Sequence, residues 1–340
     1  MMNMEYHWHT DTLVRMLAGI DQLPHALLLS GTPGIGKSRF AAALANALLC
    51  ESAAPDRRSC GQCAACGWFR SGNHPDYRLL EPLTDDDGKA SREIRIDQVR
   101  ALADFVNVGG HRSARRVVQL DPADALNTPA ANALLKTLEE PPAGVLFLLV
   151  SSRSDALPAT IRSRCQVRLL EGPSMAEASA WLQGETGCSP QDAGGWLAMA
   201  GGSPLAAARF AEPAQAAAHR ALLEAIARLP DTSSVAVADA LHAADARHWL
   251  PLLQRWVMDL GRRAAGAEPR YFPGHAARLA ELARRTSSGA LAQAGRALAG
   301  QFRQVDHPLN ARLFCEESLE VYLGAFTPET GGAGATKGAR

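Results

Sequence analysis

The run Gly31-Thr-Pro-Gly34-Ile-Gly36-Lys37-Ser38 is compatible with few folds. It satisfies the pattern G-x-x-x-x-G-K-[ST] in full. Before it, His25-Ala-Leu-Leu-Leu-Ser30 is an apolar run that reads as a buried strand. After it, Arg39-Phe-Ala-Ala-Ala-Leu-Ala-Asn-Ala-Leu-Leu49 reads as a helix. Strand, glycine loop and helix together make an anion cradle. The glycines let backbone N–H groups converge on phosphate oxygens, and the helix N-terminus adds partial positive charge. Lys37 is spaced to reach the β/γ-phosphates and Ser38 to ligate Mg²⁺. Gly31, Gly34, Gly36, Lys37 and Ser38 are therefore the candidate nucleotide-binding residues, for ATP with Mg²⁺.

A second element belongs with this loop. Arg115-Arg-Val-Val-Gln-Leu-Asp121 reads as a short apolar strand ending in a carboxylate. In phosphate-loop ATPases such a residue helps hold Mg²⁺, so Asp121 joins the candidate set. The following residue is ordinarily a Glu that activates water. Here it is Pro122, which has no base, and Asp124 lies too far on to take that place. Hydrolysis by this chain is not expected even where ATP binds. Val145-Leu-Phe-Leu-Leu-Val-Ser151 adds a further buried strand of the parallel type.

Seven cysteines occur, and four cluster as Cys50, Cys60, Cys63 and Cys66, a C-x9-C-x2-C-x2-C spacing. Short C-x2-C steps aim thiolates at one metal, and four sulfurs complete a tetrahedral Zn²⁺ shell with no open position. That is a structural site, not a catalytic one. Cys50 ends the helix that Lys37 begins, roughly 20 Å away at 1.5 Å per residue. Cys165, Cys188 and Cys315 stand alone and read as small buried hydrophobes.

The 340 residues suffice for two or three domains. Lys plus Arg equal Asp plus Glu at 35 each, so no global field draws the chain onto nucleic acid or an anionic membrane. No apolar run reaches transmembrane length, and the N-terminal segment lacks the basic-then-apolar pattern of a signal peptide. A cytoplasmic protein with no membrane partner is expected.

Several motifs then coincide. The cysteine cluster follows the phosphate-loop helix, and His74-Pro75-Asp76 follows the cluster. Further on stand Asn132-Ala-Leu-Leu-Lys-Thr-Leu-Glu-Glu-Pro-Pro142 and Ser163-Arg164-Cys165. Together these resemble bacterial clamp-loader subunits of the AAA+ ATPase family, over about residues 1–210. The resemblance implies an α/β AAA+ domain with a parallel sheet over residues 1–168, carrying the inserted zinc module at 50–66. Capped helix starts give a helical lid at 169–212, the family implies that the all-α region at 213–327 is a collar that joins subunits, and the Gly-, Ala- and Thr-rich run at 328–340 reads as a disordered tail.

The pattern is nearest to the passive member of the loader ring. Motor subunits carry a sensing Arg after a Gly-Ser turn, and here Gly201-Gly-Ser203-Pro204 is followed by Leu205. The resemblance assigns Arg164 as an arginine finger that completes a neighbour's ATP site. The implied partners are gamma/tau motor subunits and a delta subunit in a hetero-pentameric ring, a sliding clamp, and primer–template DNA. The chain would be a component of a DNA polymerase holoenzyme without catalysing polymerisation itself. Two other classes stay open: an active motor subunit, and a zinc-containing adaptor with a vestigial phosphate loop.

Beyond the motifs, Ser174-Met-Ala-Glu177 reads as a capping box, and Ser189-Pro190 and Ser203-Pro204 as helix starts. From Pro213 to Thr327 the alanine- and leucine-rich pattern reads as five or six bundled helices. Two basic clusters, His111/Arg112/Arg115/Arg116 and Arg153/Arg162/Arg164/Arg168, read mainly as solvated faces.

Overall fold

The computed structural model describes residues 5–52, 56–84, 91, 93–107, 113, 115–302, 305 and 310–327; the expected tail and the His111-Arg112 pair lie outside them. The chain divides into two compact units, Met1–Ser174 and Met175–Arg340.

The first unit is built on five parallel strands: β1 Ala26–Ser30, β2 Tyr77–Leu80, β3 Arg116–Leu120, β4 Val145–Ser151 and β5 Gln166–Leu169, in the order β2-β3-β4-β1-β5. The three central strands are almost wholly buried, as their unbroken Leu/Val/Phe runs require when both faces are covered. Successive side chains alternate between faces. Leu28, Val118, Phe147 and Leu149 enter one core, and Leu27, Leu29, Val117, Leu146 and Leu148 the other. Helices α1 (Thr10–Ala18) and α2 (Lys37–Leu49) cover the second face through Leu13, Leu17, Phe40 and Leu44. Between the strands also run α3 (Ala64–Arg70), α4 (Ile96–Asn107), α5 (Thr128–Glu139) and α6 (Ala159–Arg162). α4 and α5 cover the first face through Val99, Leu102, Leu134 and Leu138.

Register brings the strand ends level. Ser30 pairs with Ser151, and Leu120 with Leu149. The loops after three adjacent parallel strands therefore open at one edge, where open α/β sheets place their ligands. β2 was not foreseen. Its four residues form no apolar run, and only Leu80 is buried.

The second unit is helical: α7 Met175–Thr186, α8 Pro190–Met199, α9 Pro204–Ala211, α10 Pro213–Ala227, α11 Ser234–Leu241, α12 Ala246–Ala264, α13 Ala276–Ala283, α14 Ser288–Phe302 and α15 Ala311–Leu323. Ser189 and Ser203 cap α8 and α9 by accepting the N–H groups of Asp192 and Ala206. Side chains from Ala178 to Ala325 share one hydrophobic core, so α7–α9 and α10–α15 pack into a common interior. Cys165 and Cys315 are buried as their isolation suggested; Cys188, in the α7–α8 connection, is only half-buried. Among the described residues no helix is long and apolar enough to cross a membrane.

α12 is the axis of this core. Trp249 and Trp256 are fully buried, and the Trp256 indole donates to the Tyr322 hydroxyl at 3.0 Å. Asp259, with no exposed surface, accepts the backbone N–H groups of Arg270, Tyr271 and Phe272 at 2.7, 2.8 and 2.8 Å. Removing it would leave three backbone donors without their acceptor, the buried Phe272 N–H among them. Asp259→Ala is expected to lower stability by about 3 kcal/mol or more. Urea unfolding of the full chain measures this, and hydrogen exchange should speed up at residues 270–272.

Candidate functional site

The phosphate loop leaves β1 and ends at Gly36, the N-cap of α2, whose φ of 92° is left-handed. A Cβ at Gly36 would meet the Tyr6 ring at 2.3 Å, and one at Gly31 would meet the Leu170 carbonyl at 2.5 Å. Both positions are closed to any side chain, the first by conformation as well as space.

Lys37 is 5% exposed. Its ammonium donates to Gly31 O at 3.0 Å, Thr32 O at 2.8 Å and Ser152 Oγ at 2.7 Å. Burial pushes its pKa down, and the nearby carboxylates of Asp121 and Asp124 oppose that shift. Asp121 follows β3. Burial pushes its carboxyl up, while hydrogen bonds from Ser38 and Gln119 and the charge of Lys37 hold it down. Ser38 and Asp121, the two residues assigned to Mg²⁺ from the sequence, are thus brought into contact. A hydroxyl and a carboxylate are the hard oxygen donors that ion takes.

Asp124 is also held. It accepts from Ser151 Oγ at 2.6 Å and from Arg153 at 3.1 and 3.2 Å. Pro122 itself offers nothing polar in its side chain.

Three residues around the loop were not read from the sequence. Gln119 Nε2 donates to Asp121 Oδ2 at 3.0 Å and to Ser38 O at 3.4 Å, and its Oε1 accepts the Tyr77 hydroxyl at 2.9 Å. A lone Gln inside Val117-Val118-Gln119-Leu120 was the available signal. Ser152 carried only its place just beyond a buried strand. His9 is buried, with Nε2 donating to Glu171 O at 3.2 Å and Nδ1 lacking a hydrogen-bond partner; burial pushes its pKa down.

Arg164 follows α6. It donates to Thr160 O at 2.8 Å and forms an ion pair with Glu139 at the end of α5. Of the first basic cluster, Arg116 is buried and donates to Phe105 O at 2.6 Å, while Arg115 pairs with Asp21 and Ile20 O. Both are spent within the chain. Arg162 and Arg168 are exposed.

The four cysteines converge. Cys50 is the C-cap of α2, and Cys63 the N-cap of α3. Their sulfurs lie within 4.8 Å of one another, with Cys50 and Cys63 3.9 Å apart. Four ligands about 2.3 Å from a tetrahedral zinc would stand about 3.8 Å apart, so the cluster fits that ion. The N–H groups of Cys60, Gln62, Cys63 and Cys66 point at the sulfurs of Cys50, Cys60, Cys60 and Cys63. Such bonds favour thiolates, and those from Gln62 and Cys63 hold Cys60 down at about 6, whereas burial pushes Cys50 and Cys66 up.

Comparison with known proteins now adds the lineage. The family described as "DNA polymerase III, delta subunit" matches residues 9–173. The "DNA polymerase III subunit delta'" of Escherichia coli is 36% identical over 247 residues, covering 72% of this chain and 71% of that protein. The chain belongs to the DNA polymerase III subunit delta' family. The Pseudomonas aeruginosa delta' subunit is 42% identical over 206 residues, covering 60% of this chain and 61% of that protein. The Escherichia coli "DNA polymerase III subunit tau" is 36% identical over a shorter span, 46% of this chain and 23% of that protein. Within this chain, the phosphate loop retains every residue of its pattern.

Protein purified without added zinc is expected to carry about one Zn²⁺ per chain, and Cys66→Ser to lose it. Metal analysis checks both. A disulfide among the four cysteines would contradict the assignment.

Proposed function

We propose that the chain is a largely non-hydrolysing member of a clamp-loader ring in DNA replication. Asp124 carries this reading: it is the next carboxylate after Asp121, and Ser151 and Arg153 already engage it. With Pro122 directly after Asp121, the turn after β3 offers no uncommitted carboxylate among the described residues to activate water. Kinship with proteins named delta' and tau supports membership of the DNA polymerase III clamp-loader assembly. Gamma/tau motor subunits, a delta subunit, a sliding clamp and primer–template DNA are its proposed partners, and residues 213–327 its proposed collar.

In this role the phosphate loop binds ATP through the Gly31–Ser38 backbone and Lys37, with Ser38 and Asp121 toward Mg²⁺. Leu205, in the first turn of α9, brings no charge to a γ-phosphate. Arg164 acts in trans. A planar guanidinium meets the charge that grows on the transferred phosphoryl group. Its pairing with the half-exposed Glu139 is the kind of surface contact that is worth little and is readily exchanged. Zinc on the four cysteines stiffens the module behind α2 and takes no part in the chemistry. The intact loop favours one competing reading, an active motor subunit, and turnover separates the two.

The isolated chain is expected to hydrolyse ATP no faster than its Lys37→Ala variant; a turnover abolished by that change would establish the motor reading. In a reconstituted loader, Arg164→Ala should leave assembly intact yet lower DNA-stimulated ATP turnover and clamp loading. Fingers elsewhere are worth ~10³–10⁵ in rate at their own site, so a ring with several sites would lose that site's share. Unchanged loading at normal assembly would remove Arg164 from the mechanism.

A further inference from the structure

The segment before α1 lies against the phosphate loop in an ordered way. The Tyr6 and Trp8 rings stack with centroids 4.7 Å apart and planes within 2°. The Trp8 indole N–H donates to Ile35 O, inside the loop, at 2.9 Å. The Tyr6 ring occupies the space a Gly36 side chain would take. The Arg39 guanidinium, in the first turn of α2, sits 4.3 Å from the centroid of the Tyr6 ring. His9 fastens the end of the segment to Glu171 O. Tyr6 thus has a cation and a stacked ring as neighbours, and the loop's tip beneath it.

These contacts bear on what the loop can accept. Loop N–H groups and Lys37 serve the phosphates, and a nucleoside extends beyond the α-phosphate by a ribose and a planar base. On the phosphate-binding reading, that nucleoside must pass the outer side of the loop, because the sheet and α2 lie behind it. There the Tyr6 ring covers Gly36, the Trp8 indole holds the Ile35 carbonyl, and the exposed Arg39 lies against the Tyr6 ring.

We infer that the Tyr6–Trp8 stack is a lid over the phosphate loop that a nucleotide must displace before it binds fully. This rests on the phosphate-binding reading and specifies how that site is regulated. A binding-competent state populated for a fraction of the time weakens apparent affinity by that fraction; a lid open about one-tenth of the time costs tenfold. The stack adds aromatic and cation–π attraction to ring burial, which supplies a gap of that order.

The test is equilibrium titration of the full chain with Mg·ADP, with thermal unfolding as the check on folding. Tyr6→Ala/Trp8→Ala is expected to bind about tenfold tighter than wild type. Adding Lys37→Ala should abolish the gain, and Tyr6→Phe, which keeps the ring, should match wild type. Should the double variant fail to fold, Trp8→Phe carries the test. It keeps a stacked ring and loses the donor to Ile35, and about threefold tighter binding is expected.

Unchanged affinity in the folded variants overturns the lid. Weaker affinity does so as well and makes the stack a platform for the base. If wild type binds through Lys37 while the variants gain nothing, the lid falls and the phosphate site stands. If no form binds, both fall.

Discussion

A lysine ammonium withdrawn from water must find acceptors and counter-charge nearby, or it gives up its proton. Lys37 finds both. Two loop carbonyls and the Ser152 hydroxyl take its hydrogen bonds, and Asp121 and Asp124 supply the opposing charge. Each partner comes from a different place in the chain: the loop after β1, the end of β4, and the turn after β3. The parallel register of three strands brings them together, and that register depends on strands apolar enough to be covered by helices on both faces.

The proposed passive role would separate binding from catalysis in physical terms. Binding an anion needs donors and positive charge, and the loop has them. Splitting water needs a carboxylate free to take a proton, placed at the attacking oxygen. Asp121 is desolvated and bonded to Ser38 and Gln119, and Asp124 is bonded to Ser151 and Arg153. The oxygens of both carboxylates are already directed at donors of the protein. In the proposed role, the carboxylates that face buried Lys37 serve its charge rather than a reacting water.

Much of this was legible in the sequence. The loop, β1, β3, β4 and the capped starts of α8 and α9 are local patterns, where neighbouring residues settle the outcome. The four cysteines were legible because thiolate spacing is itself geometry. β2 was not, since a four-residue edge strand owes its pairing to β3 more than to its own residues. Gln119, Ser152 and His9 were missed for a related reason. Each takes its role from a partner far along the chain, His9 from Glu171, 162 positions away. Arg115 and Arg116 look alike in sequence, yet one pairs at the surface and the other is buried against Phe105 O. Strand parity separates them only once the strand's start is known.

α2 links the two chemistries. Its first residue is Lys37, and its C-cap is Cys50. A helix of thirteen residues is stiff along its axis and about 20 Å long. Isolated helices of that length are marginal in water, so tertiary contacts must hold the ends. At the N-terminal end the loop and the Tyr6–Arg39 contact do so. At the C-terminal end the last carbonyls lack intrahelical partners, and the chain turns away into an extended Cys50 whose sulfur accepts the Cys60 N–H. A metal that tied Cys50 to the three other sulfurs would pin the end of α2 that would otherwise fray. A structural metal there would act on the phosphate loop only through the rigidity of this helix, and so without any ligand in common.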